Sequence, residues 1–151
     1  MTEVLFYHLT EHTLERALPG LLERSLERGW NVVVQSSRED HRDRLNQHLW
    51  TYQKESFLPH GCEGDDDVTP SQHPIWLTTA NDNPINAQVR FMVDGAVPEG
   101  TDKYERLIYM FDGRDEDAVA AARGQWKIEK EAGHDLAYWQ QDEEGRWKKK
   151  A

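Results

Sequence analysis

The amino-acid sequence predicts a single three-layer α/β domain spanning residues 1–151, with a mostly parallel sheet. Two observations predict it. Strand-like and helix-like segments alternate from the N-terminus, the opening pattern of a parallel sheet joined by crossover helices. The first strand-like run, "EVLFYHL", is apolar enough to be buried on both faces, as strands of parallel sheets are.

The elements follow in order. After "EVLFYHL", the segment from Thr13 to Arg28 places Leu14, Leu18, Leu21, Leu22 and Leu26 at helical spacing. Pro19 interrupts that segment, so the helix is expected either to kink or to begin afresh there. Gly29 ends it. "NVVVQS" is the second strand. Ser37 is the expected cap of a helix reaching about Trp50, with Asp40 in the capping-box position. After Gly61 comes a polar loop rich in Asp and Pro, then a third strand, "PIWLTT". "NDNP" is turn chemistry. "AQVRFMV" and "ERLIYMF" are two more strands, separated by "DGAVPEGTDK". Asp115 to Ala132 is the last helix, with three acids at its N-terminus and Gly133 beyond its end. "DLAYWQ" is a strand, and "DEEG" turns it into "RWKKK". There is no internal repeat and no domain linker.

Composition narrows the function classes. Apolar runs such as "VLF" and "NVVV" are far shorter than the roughly 20 residues of a membrane span. The N-terminus lacks a basic stretch followed by a long apolar one, so no signal peptide is expected. Cys62 is the single cysteine, which excludes an internal disulfide and suits a reducing cytoplasm. The formal net charge of -10 repels phosphate backbones. Contact with DNA is therefore expected mainly through a protein, or through a local basic patch.

Catalytic and cofactor motifs are sparse. A nucleotide-binding parallel sheet would carry glycines in its first strand-to-helix turn. That turn here is "HLTEHTLE", without glycine, and no phosphate-binding loop pattern occurs elsewhere. No cofactor is expected. Cys62 and His60 could form a nucleophile and base, but no orienting acid is assignable. His60, Cys62 and His73 match no common metal-ligand spacing.

Two clusters stand out. Arg123, Trp126, Lys127 and Lys130 fall within an arc of about 100° on the last helix. Three cations around one aromatic suit an acidic peptide bearing an aromatic or a terminal carboxylate, or form an ordinary solvated face around a half-buried Trp. The opposite stripe, Ala118, Ala121, Ile128 and Ala132, is expected to pack on the sheet. The second cluster is "LWTYQKESFLPHG", from Leu49 to Gly61. Trp50 and Phe57 there are either a small satellite of the core or an anchor for a partner protein.

Several pieces occur together and in order: "FYHL", "LW" followed by "ESFLPHG", "ERLIYMFDG", "ARGQWK" leading to "AGHDLAYWQQ", and the closing "GRW". On these, nearly end to end, the chain resembles the chi subunit of bacterial DNA polymerase III. The resemblance implies a Rossmann-like sheet without nucleotide. It implies an accessory subunit of the clamp-loader part of the replicase, without catalysis of its own. The implied partners are the acidic C-terminal tail of single-stranded DNA-binding protein and the psi subunit, or another clamp-loader component. The tail-binding face falls on Arg123, Trp126 and Lys127, with Lys130 at a further basic position. Val119 stands where some members carry another basic residue. The psi-binding aromatics fall on Trp50 and Phe57, while Tyr52, Leu58 and Pro59 gain no partner role. Two other readings stand beside this one. One is an independent single-stranded nucleic-acid-binding module using the same stripe and Lys148 to Lys150. The other is a small enzyme built on Cys62 and His60.

Overall fold

The computed structural model describes residues 2–51, 60–62, 74–81, 83–98 and 104–150, with backbone alone for Trp50 and Thr51. The elements in order are β1 (Glu3–Leu9), α1 (Leu14–Glu27), β2 (Val32–Ser36), α2 (Glu39–Thr51), β3 (Gly61–Cys62) and β4 (Ile75–Thr78). β5 (Val89–Val93), β6 (Arg106–Asp112), α3 (Glu116–Glu131), β7 (Asp135–Gln141) and β8 (Trp147–Lys149) complete them. The strands form one sheet in the order β3-β4-β2-β5-β6-β1-β7-β8. Each described pairing is parallel, except the antiparallel hairpin of β7 and β8.

Alternation along the strands builds the two larger of three buried apolar clusters among the described residues, the third being Val33, Trp76, Ile85 and Ala87. Leu5 and Leu9 of β1, with Val32, Val34, Phe91 and Ile108, face the leucines of α1 and α2. Leu18, Leu22, Leu45 and Leu49 there are fully buried, each contributing about 1.5–3 kcal/mol. Val4 and Phe6, with Met92, Leu107 and Tyr109, face the other way, where Ala122 and Trp126 of α3 pack on them. Two helices on one face and one on the other make the expected three layers.

Local chemistry explains the helix limits, with some departures from expectation. Thr13 caps α1 by accepting from the Arg16 N–H, and Gly29 follows its end at φ 80°. Pro19 lies inside α1, which runs through it as one helix. Ser37 does not cap α2. Its hydroxyl donates to the Asp94 carbonyl, and Asp40 takes the Arg38 guanidinium instead. Gly61 and Cys62, expected at the start of a loop, pair with β4 as a short strand.

The largest correction concerns α3. The stripe of Ala118, Ala121, Ile128 and Ala132 does not pack on the sheet: Ala121 and Ala132 are exposed, and Ile128 is 59% exposed. The sheet-facing side holds Ala122, Trp126 and Glu129, the last 3% exposed. The reason is a polar network. Glu129 accepts from the Tyr109 hydroxyl at 3.1 Å and from Gln125 at 3.0 Å, and its other oxygen meets His134 Nδ1 at 2.6 Å. A carboxylate with three partners can be buried, and it sets the rotation of the helix.

Candidate functional site

Trp126 sits where α3 leaves the sheet partly uncovered. Its ring meets Phe6 edge-on at 5.3 Å and Tyr138 edge-on at 6.0 Å. The parallel register of β1 with β7 sets Phe6 beside Tyr138, and that of β1 with β6 sets His8 beside Phe111. An aromatic wall results, with Phe111 and Tyr138 rings 6.1 Å apart and His8 5.0 Å from Phe111. Trp126 is half-buried against this wall.

His8 is fixed within the wall. The Tyr138 hydroxyl lies 2.6 Å from His8 Nδ1, within hydrogen-bond distance. Burial, and then the Arg123 charge, lower the pKa of His8 below its usual value, against the pull of Asp112. Burial raises the Tyr138 phenol, and Arg123 opposes that rise. Gly113 supplies the space: a Cβ there would stand 1.9 Å from His8 Nε2 and 2.8 Å from the Leu9 carbonyl oxygen.

Arg123, Lys127 and Lys130 are all exposed on the same helix. Among the described residues none of the three has a carboxylate partner. The cations and Trp126, expected on one helix face, all lie on α3, the cations exposed and Trp126 half-buried. Sequence reasoning missed Tyr138, His8, Phe111 and Gly113. The signal available was the "FYHL" alternation combined with a register that only the folded sheet reveals.

The remaining sequence candidates fall elsewhere. Trp50 lies in the last turn of α2, and its side chain is outside the described residues. Phe57 and His73 are also outside them. Cys62 is buried within the apolar cluster under α2, and His60 is buried with Nε2 3.2 Å from the Asn46 carbonyl. A thiol so enclosed offers a substrate no approach. Among the described residues, no group of acids, histidines and cysteine could hold a metal ion, and no helix is long and apolar enough to cross a membrane.

The edge where a doubly wound sheet binds nucleotides is filled from within. The Gln141 side-chain oxygen accepts from the backbone N–H groups of Thr10, Glu11 and His12, at 3.2, 3.1 and 3.1 Å. Those amides open the turn into α1, where a phosphate would otherwise sit. Close by, a crevice of about 600 Å³ is roofed by the first turns of α1 and α3. His41 there bridges Asp94 and Glu15, with both contacts at 2.6 Å. Burial raises the Glu15 carboxyl, but its own backbone N–H and the His41 bond outweigh that and hold it below its usual value. Acid and imidazole in this crevice thus answer one another.

The family model described as "DNA polymerase III chi subunit, HolC" matches residues 1–137. The chain belongs to the DNA polymerase III chi subunit family. A curated relative in Rickettsia prowazekii (strain Madrid E), the "Probable DNA polymerase III subunit chi", is 29% identical over 93 residues. That match covers 62% of this chain and 55% of the relative's own length. The family takes its name from a subunit of DNA polymerase III. The α/β architecture expected from the resemblance is the one observed.

Proposed function

We propose that this chi-family chain is an adaptor, without catalysis of its own, linking the polymerase III clamp loader to the acidic C-terminal tail of single-stranded DNA-binding protein. The observation that carries this is the grouping of Arg123, Lys127 and Lys130, exposed and without acid partners among the described residues, around half-buried Trp126 in a chain of net charge -10. Arg123 takes the tail's terminal carboxylate bidentately. Trp126 and the adjoining aromatic wall receive the last apolar side chain, and Lys127 and Lys130 attract the acids. Each tail binds modestly, but many tails on a coated strand hold the complex in place. Trp50 and Phe57 form the second surface of the adaptor, for psi or another clamp-loader component.

Titration with a synthetic acidic tail peptide tests the reading. Arg123→Ala and Trp126→Ala should each weaken binding by about 1 kcal/mol or more. Wild-type affinity in both variants would overturn it. Phe57→Ala should leave tail binding intact while releasing the second partner in a pull-down.

A further inference from the structure

The other face of the sheet carries a groove of about 760 Å³ where β7 and β8 extend past α1. Its floor is aromatic. Tyr7 and Trp139 are register partners on neighbouring strands, with nearly parallel rings (16°) 6.4 Å apart. Trp147 of β8 meets Tyr7 edge-on at 4.7 Å. All three are only half-buried, although they adjoin the leucine core.

The rim is cationic. Arg24, Arg28, Arg106 and Lys149 line the groove. Arg28 and Arg106 both lie over the Trp30 ring, at 5.2 and 5.0 Å, so one indole holds two like charges together. Arg106 is paired with Glu3 at 2.8 Å. Arg24, Arg28 and Lys149 are exposed and lack a carboxylate partner among the described residues. Burial raises the pKa of Tyr7 and Glu3 adds to the rise, while Arg106, Arg24 and Arg28, which line the groove with it, pull against it. Glu27 and Asp135 also line the groove. Four cations thus face three acids, one of them already paired, in a chain where acids outnumber cations 28 to 18.

We propose that this groove binds a short stretch of single-stranded nucleic acid, with bases on Tyr7, Trp139 and Trp147 and phosphates at Arg24, Arg28, Arg106 and Lys149. Single strands alternate a flat ring with an anion, and the groove offers both in similar number. Arginine forks match phosphate oxygens in pairs. An acidic peptide would satisfy the cations but bring no flat partner for the floor. A duplex keeps its bases stacked inside and could not use the rings. The site stands apart from α3 and does not rest on the tail-binding proposal.

The experiment is fluorescence anisotropy of a short labelled oligothymidylate with the full chain at low salt. Wild type should bind, and affinity should fall steeply as salt rises. The double variant Arg24→Glu with Lys149→Glu changes exposed side chains only and should weaken binding about tenfold or more. Glu27→Gln should tighten it about twofold, a gain that misfolding cannot imitate. Arg123→Ala and Trp126→Ala should bind the oligonucleotide as wild type does. The proposal is overturned by no wild-type binding, or by equal affinity in the charge-reversal variant. Loss of binding on the α3 variants instead, equal binding of duplex, or equally strong competition by oligoglutamate would overturn it too.

Discussion

The two faces of the sheet are covered differently. Under α1 and α2 lies a broad aliphatic core, with Leu18, Leu22, Leu45 and Leu49 all fully buried. Under α3 lies a smaller aromatic cluster, stitched by a buried carboxylate and open at Trp126. Two helices can seal a wide area of sheet with leucines, whereas one helix cannot. What a single helix leaves uncovered must be tolerable to water, and half-buried rings with polar edges are. The same rings then become the surface on which another molecule can dock. The proposed tail site uses such rings beside α3, and the proposed nucleic-acid groove uses those beyond α1.

That contrast can be broken at several points. The largest effect should come from the aliphatic face. Leu22→Ala should cost about 3 kcal/mol in urea unfolding, with peptide affinity of the folded fraction unchanged. Next is the buried acid. Glu129→Ala removes the acceptor of the Tyr109 hydroxyl and one contact of His134, and should cost about 2 kcal/mol. It should also weaken tail binding, because α3 loses the contact that sets its rotation. Unaltered stability in this variant would show that packing alone orients the helix. Gln141→Ala strips one acceptor from three backbone amides and should cost about 1–3 kcal/mol. Faster hydrogen exchange should follow at Thr10, Glu11 and His12, and unchanged exchange there would contradict it. Trp126→Ala should cost about 1 kcal/mol of stability, since the ring is only half-buried, and weaken tail binding by about as much or more.

The smallest effect concerns pH. His8 has a folded pKa below its usual value, so the folded state binds its proton less readily than the unfolded chain does. Its contribution to stability is complete above the unfolded pKa near 6.5 and is lost as pH falls through the lower, folded one. His8→Gln should flatten that part of the pH–stability curve. An identical curve in the variant would place the titration elsewhere.

Much of the architecture was legible because local pattern and final environment agree. The α1 leucines recur at helical spacing and are buried, and "EVLFYHL" becomes the interior strand β1. Legibility failed where distant partners decide. Pattern assigns Ile128 to the core, but it is exposed, and Glu129 is buried instead on Tyr109 and His134. Ser37 resembles a cap, but the Asp94 carbonyl claims its hydroxyl. The cations of α3 share one helix and could be read by counting. The wall behind them draws on β1, β6 and β7, whose order in the sheet no local signal encodes.

Gln141 makes the turn after β1 constitutive. A loop that waits for a small molecule has an empty and a filled form, and the difference between them is a signal. Here the filling group belongs to the chain and arrives with the fold, so the three amides are satisfied without any ligand. The turn is completed by the last residue of β7, in the same sheet.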